Sequence, residues 1–182
     1  MNSNTHQAFL EQYKEIHEPF VRYCSSRAYG ILSTEDLVQE AVLAALKGFD
    51  QLTEPRKLLS YMIGTVNNLL RNRRRRAHRQ GEWDEQLLQK LESQTPDPDI
   101  ALDIHYLLKA MDQLADRQKE ALLLFEISGF SIREISELQY SSETATKTRI
   151  HRARQRLKEL MGERRPKTSL SSAMASFRAI LL

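Results

Sequence analysis

The sequence predicts an all-α protein made of two small helical domains joined by a flexible acidic linker, and three observations carry that expectation. Apolar residues recur at steps of three and four over 9–70 and again over 104–161, which lines one face of each helix. Between these stretches, over 80–103, Glu82, Asp84, Glu85, Glu92, Asp97, Asp99 and Asp103 dominate, and Thr95-Pro96-Asp97-Pro98 cannot be helix interior. Finally, Ser131 to Met161 reads as helix, tight turn, helix, the second helix apolar on one side and cationic on the other. A chain of 182 residues and 21.2 kDa has room for two such domains, each with a modest core. The expected division is 1–79, an acidic linker over 80–103, a second domain over 104–161, and a C-terminal extension over 162–182.

In chain order, Phe9, Tyr13, Ile16, Phe20 and Tyr23 form the first helical stripe. Pro19 falls inside it, and an interior proline costs about 3 kcal/mol, so a kink or a break into two helices is expected. After Gly30, Ser33 with Asp36 three residues later starts a new helix, whose Leu37, Val38, Ala41, Ala44, Ala45 and Phe49 give it a buried side. Glu54-Pro55 marks a loop, because the residue before proline is pushed out of helical geometry. Leu58, Leu59, Met62, Ile63, Val66, Leu69 and Leu70 then make a packing face. It runs directly into Arg71, Arg73, Arg74, Arg75, Arg76 and Arg79, which put guanidinium groups on all sides of the last turns. Such a run repels itself, and the favourable end of the helix dipole offsets only about 0.3–1 kcal/mol per charge. A polyanion contact, strongly salt-dependent, is the economical explanation.

Beyond the linker, Ile104, Leu107, Leu108, Met111 and Leu114 mark a helix. Asp116 is expected to cap the next, which carries Ala121, Leu122, Leu124, Phe125 and Ile127 and ends at Gly129. Ser131 and Glu134 form a capping box, and Ser141 or Ser142 caps the final helix of the domain. There Thr146, Ile150, Ala153, Leu157 and Leu160 share one face, while Lys147, Arg149, His151, Arg152, Arg154, Arg156 and Lys158 occupy the others, with Glu159 the only acid between Thr144 and Leu160. DNA is the polyanion such a helix suits: cations position on phosphates while a few side chains near its N-terminus reach base edges in the major groove. Past Pro166, Leu170, Met174, Phe177, Ile180 and Leu181 form a short amphipathic array. It is either a frayed tail or a helix docked on one of the domains or a partner.

Composition excludes several classes. Net charge of +3 and a pI near 9.0 average acidic and strongly basic segments. One cysteine, Cys24, excludes an intramolecular disulfide framework, and its apolar neighbours make it a buried thiol. No Cys/His cluster has zinc-ligand spacing, no Gly-rich phosphate loop is present, and no catalytic constellation appears, so neither an enzyme nor a cofactor is expected. No apolar run approaches about 20 residues and MNSNTHQAF lacks a signal-peptide pattern, so the protein is expected to be soluble and cytoplasmic.

The segments STEDLVQEAVLAALKGF, LLSYMIGTVNNLLRNRRRR and LADRQKEALLLFEISGFSIREISELQYSSETATKTRIHRARQRLKEL resemble, in order, parts of the extracytoplasmic-function (ECF) RNA polymerase sigma factors. They look like the clamp-binding helix of sigma region 2, the promoter-melting helix that follows it, and the helix-turn-helix of region 4. The resemblance covers about residues 9–79 and 104–161, with the short linker of the minimal group between. It implies a promoter-specificity subunit that binds core RNA polymerase, recognises and melts promoter DNA and directs initiation. By position, Asp36, Leu37, Gln39, Glu40 and Leu43 match the surface docking on the clamp coiled coil of the largest subunit. Asn67, Asn68, Arg71, Arg73, Arg74, Arg75 and Arg76 match the segment that captures an unstacked base and the backbone of the minus-ten element. Thr144, Lys147, Thr148, Arg149, His151 and Arg152 match recognition-helix positions facing the minus-thirty-five element. The implied partners are core polymerase, through clamp and flap, promoter DNA and an anti-sigma factor, with no membrane insertion. The acidic linker resembles the segment that threads the polymerase RNA channel. The alternatives are a sigma-like decoy that titrates an anti-sigma factor and a polymerase-independent helix-turn-helix regulator.

Four positions depart from the family. Glycine is usual in the turn where Tyr140 stands, which predicts a reshaped or strained turn. Aliphatic residues are usual at Glu143 and Thr146, and their loss predicts about 1.5–3 kcal/mol less burial per site. Tyr61 replaces a frequent tryptophan.

Overall fold

A computed structural model describes residues 3–49, 52, 57–77, 83–162 and 166–181. Among these the regular structure is all helix, and the chain divides into two compact units, Met1–Gln80 and Gly81–Leu182. No helix among the described residues is long and apolar enough to cross a membrane.

The first unit packs three helices on one another: α1 (Ser3–Ala28), α2 (Thr34–Gly48) and α3 (Lys57–Ala77). The break allowed for at Pro19 does not occur, and α1 runs unbroken through it. Anchors on both sides of the proline explain this: Phe9, Phe20, Tyr23 and Cys24 are all buried, so one lost hydrogen bond is outweighed by packing on either flank. Phe9 stacks on Tyr13 with centroids 5.8 Å apart and meets Phe49 edge-on at 5.4 Å, joining α1 to the end of α2. Burial pushes the Cys24 thiol up to about 12, as expected of an inert core cysteine. Ser33 caps α2 through its hydroxyl, which accepts from the Asp36 N–H at 3.1 Å. Gly48 gives Tyr61 its place, because a Cβ there would stand 3.0 Å from the Tyr61 hydroxyl.

The second unit contains more helix than the sequence suggested. The stretch read as a flexible linker holds α4 (Trp83–Gln94) and the first turns of α5 (Pro98–Asp112), and these two helices pack together. Leu87 and Leu91, four apart, bury one face of α4, and the Thr95–Pro98 segment separates the helices as its prolines require. Asp97 caps α5 by accepting from the Asp99 N–H at 2.9 Å, with Pro98 at the first helical position. The helix therefore begins six residues before Ile104.

The unit continues with α6 (Asp116–Leu123), a π-helical turn over Leu124–Ser128, α7 (Ile132–Leu138), α8 (Glu143–Gly162) and α9 (Leu170–Ile180). Asp116 is not the cap of α6: Ala115 occupies that position, and Asp116 sits inside the first turn, where its charge suits the dipole. Gly129 closes the π turn at φ 82°. Ser131 and Glu134 form the capping box, and Ser142 caps α8 by accepting from the Ala145 N–H at 3.1 Å. The C-terminal array is a docked helix. α9 packs on α5 and touches α8, with Ala173, Met174 and Phe177 buried. Ahead of it, the buried Asp103 carboxylate accepts from the backbone N–H groups of Lys167 at 3.0 Å and Thr168 at 2.6 Å.

Candidate polymerase and nucleic-acid interfaces

On α2 the five expected docking residues do not share one surface. Asp36, Gln39 and Leu43 are exposed, Leu43 to 56 %, and Glu40 is partly so. Leu37 is fully buried and belongs to the core with Ala41 and Ala45. Its place on the apolar stripe fixes this, since steps of four on α2 point inward. It can only support the expected docking surface from beneath. Glu40 accepts from the Arg73 guanidinium of α3 at 2.5 Å, so a residue expected at polymerase and one expected at DNA form an ion pair. Both side chains are more than a third exposed, which makes it a weak orienting contact of about 0–1 kcal/mol.

On α3 the adjacent asparagines separate. Asn68 is exposed, as are Arg71 and Arg73. Asn67 is half-buried, and its Oδ1 accepts from the Tyr23 hydroxyl at 3.0 Å and from Arg27 Nη2 at 2.9 Å, tying α3 to α1. Arg74, Arg75 and Arg76 continue the helix, but their side chains, and Arg79 altogether, lie outside the described residues. Nothing in linear spacing signalled the roles of Tyr23 and Arg27, which stand more than three helical turns of sequence from α3 and meet it only through the fold.

On α8 the division into faces matches the periodicity. Thr146, Ile150, Ala153, Leu157 and Leu160 are buried, and Thr144, Lys147, Thr148, His151 and Arg152 are exposed. The cations sort along the helix. Toward its C-terminal end Arg154 is held by Glu126, with Nε at 2.8 Å, and lies 5.3 Å over the Phe125 ring, while Arg156 pairs with Glu159 at 3.0 Å. In the N-terminal half Lys147, His151 and Arg152 have no acidic partner among the described residues. Arg149 departs from the expected surface. It is half-buried, and its Nη1 donates inward to Gln139 Oε1 and to Ser141 Oγ, the latter at 3.3 Å.

The family departures resolve individually. Tyr140 does adopt a left-handed conformation, φ 48°, with its side chain 76 % exposed. Glu143 is exposed, so no burial is lost there. Thr146 is buried, and its hydroxyl pairs with Ser141 Oγ at 2.8 Å.

A three-helix unit ending in a cationic helix, and a second unit with a helix-turn-helix whose leading cations have no acidic partner among the described residues, make the arrangement expected of a DNA-binding protein of the sigma type. The description Sigma-70 region 2 matches residues 13–80, and Sigma-70, region 4 matches residues 104–157. The ECF RNA polymerase sigma factor EcfG of Rhodopseudomonas palustris is 30% identical over 127 residues, 70% of each chain. RNA polymerase sigma factor CarQ of Myxococcus xanthus is 28% identical over 135 residues, 71% of this chain and 75% of the relative. Among solved structures, CnrH in complex with the cytosolic domain of CnrY shares the fold at a TM-score of 0.55 and 21% identity, covering 87% of this chain and 90% of that one. The chain belongs to the ECF RNA polymerase sigma factors. It is an alternative sigma factor, the subunit that gives RNA polymerase its promoter and directs transcription initiation.

Proposed function

We propose that the two units divide the work of initiation between them. The first unit docks on the clamp of core polymerase through the exposed strip Asp36, Gln39, Glu40 and Leu43, and it presents Asn68, Arg71 and the arginines that follow to the minus-ten element. The second unit reads the minus-thirty-five element with Thr144, Lys147, Thr148, His151 and Arg152 and contacts the flap. One observation carries this assignment best. On α8, Arg154 and Arg156 in the C-terminal half pair with Glu126 and Glu159, leaving Lys158 there, whereas Lys147, His151 and Arg152, also without an acidic partner among the described residues, lie in the half where a recognition helix meets base edges. Flipping out a minus-ten base costs a few kcal/mol, and an exposed amide at Asn68 beside a cationic track is the chemistry that offsets it.

The protein acts by binding and not as an enzyme, in the cytoplasm where polymerase works, and an anti-sigma factor regulates it. Two features support a protein antagonist: the fold shared with CnrH, which was solved in complex with the cytosolic domain of CnrY, and an apolar residue, Leu43, held out in solvent on α2. The deciding experiment reconstitutes core polymerase with this protein and maps transcript starts on a genomic promoter library. Starts at a defined promoter class support the assignment. A decoy would bind an anti-sigma factor and start none, and a polymerase-independent regulator would shift duplex DNA without core enzyme.

A further inference from the structure

The helix-turn-helix is held together by a polar relay that runs through a residue with no access to DNA. Gln139, 4 % exposed, follows the last residue of α7. Its neighbours fix which way its amide points. The Arg117 carbonyl oxygen at 3.1 Å and the Glu120 carboxylate at 2.7 Å can only accept, so both must face Nε2. The Arg149 guanidinium can only donate, so it must face Oε1. A neutral amide thus stands between a carboxylate on α6 and a guanidinium on α8 and bonds to both. Arg149 extends the relay to Ser141 in the turn, whose hydroxyl meets that of the buried Thr146. Every polar atom of the Gln139 side chain is used.

Arg149 stands on the border of the two faces of α8, one side chain along from Arg152 at the i+3 position. Apolar contacts alone would let α8 slide or roll on α6, because burial has no direction. Hydrogen bonds of this geometry do not permit that.

We propose that Gln139 is a positioning residue for promoter recognition: through Arg149 it sets how α8 is seated on α6, so that the base preference of the recognition helix depends on a side chain that touches no DNA. The inference rests on the reading that the exposed face of α8 meets the upstream promoter element. A relay that only added stability would weaken binding to every sequence alike. A relay that sets the seating changes which sequences are preferred.

The test uses holoenzyme assembled from core polymerase and the full chain, selecting from a duplex promoter library randomised across the upstream element, with bound and unbound pools sequenced. Gln139→Met is expected to lower discrimination by about tenfold at one or two adjacent positions, the size of one base contact, with the minus-ten preference unchanged. Arg149→Met should alter the same positions, and the double variant should add little, as for residues acting in one network. Glu120→Gln combined with Gln139→Glu keeps a hydrogen bond between the two positions and still offers Arg149 an acceptor, but gives up the donor to the Arg117 carbonyl, so it should recover part of the wild-type preference that Gln139→Met loses. This swapped pair also decides the matter if Gln139→Met lowers helix content. An unchanged preference, or a loss uniform across the library with a lower unfolding midpoint, would overturn the proposal. If wild-type holoenzyme selects nothing upstream, it is the assignment of α8 itself that fails.

Discussion

Replacing Phe177 by alanine asks whether α9 is an integral part of the second unit. Phe177 is fully buried, and Ala173 and Met174 share its side of the helix. Truncating a buried phenylalanine costs about 3–5 kcal/mol, the lost transfer free energy plus a cavity. α9 has 11 residues, too few to stay helical in water once it leaves its surface. The measured loss therefore has a ceiling: it cannot exceed the free energy of docking, because beyond that point the tail simply detaches. Phe177→Ala and truncation after Gly162 should then give the same destabilisation. Asp103→Asn should cost less than Phe177→Ala, about 1–3 kcal/mol, since the backbone N–H groups of Lys167 and Thr168 lie near the surface and can be re-solvated. Hydrogen exchange read peptide by peptide is the suitable assay, because a chain of two units need not unfold in one step. Amides over 170–180, protected in the wild type, should exchange at unstructured rates in Phe177→Ala, and protection in α5 should fall with them. If those amides stay protected and the denaturation midpoint of the unit moves by less than about 1 kcal/mol, the docked-helix account is wrong.

On α2, Leu43→Arg should abolish core polymerase binding with unchanged circular dichroism, whereas Leu37→Ala should instead lower the unfolding midpoint, by about 2–5 kcal/mol, because Leu37 is core. Arg152→Ala should weaken upstream-element binding by about 1–3 kcal/mol if it reads a base; a loss identical for all sequences would make it a phosphate contact. Tyr140→Gly should be neutral to stabilising by up to about 1 kcal/mol, since it relieves a left-handed tyrosine whose ring is mostly in solvent; a clear destabilisation would show the ring to be packed. The first unit should lose stability between about pH 9 and 12. Burial holds the Cys24 thiol and the Tyr29 hydroxyl up at about 12, so the folded state keeps protons that the unfolded chain gives up from their ordinary values near 9 and 10. Cys24 should accordingly resist alkylation until the unit opens, and labelling at the rate of a free thiol at pH 8 would refute its burial.

What the sequence disclosed followed from how local each signal is. The capping box at Ser131–Glu134 and the apolar face of α8 depend on residues three and four apart, and both stand as read. α4 was hidden because a net acidic composition masked Leu87 and Leu91, a stripe of two, while the prolines of Thr95–Pro98 suggested a longer break than the structure has. At Pro19 the break into two helices, one of the two outcomes expected there, does not occur. A local penalty of a few kcal/mol is outweighed there by the aromatic packing on either side, which spacing alone does not reveal. In the candidate site, exposure was the weak point. Family position placed Leu37 and Arg149 on working surfaces, but position does not say which face of a helix turns inward. The long-range struts, Tyr23 and Arg27 on Asn67 and Asp103 on the Lys167–Thr168 backbone, join residues 40 or more apart and leave no trace in spacing.

The two basic helices handle their charge differently, and the difference bears on how each would meet DNA. On α8, Glu126 of the preceding π-helical turn takes Arg154 and Glu159 of α8 itself takes Arg156, so that, Lys158 apart, the cations without an acidic partner among the described residues lie toward the helix N-terminus. That is the end where a recognition helix reaches base edges, and a confined field there orients the helix without gluing its whole length to phosphates. On α3 the charge instead accumulates toward the C-terminal end, and among the exposed arginines Arg73 is tied to Glu40 of the docking helix. Polymerase contacts at α2 that engage Glu40 would compete for that carboxylate and release Arg73 toward the DNA. The ion pair is too exposed to hold the unit together, yet it links the residue expected at the clamp to the residue expected at the minus-ten backbone. The residue proposed for docking and the residue proposed for strand capture thereby share a side-chain contact within a single three-helix unit.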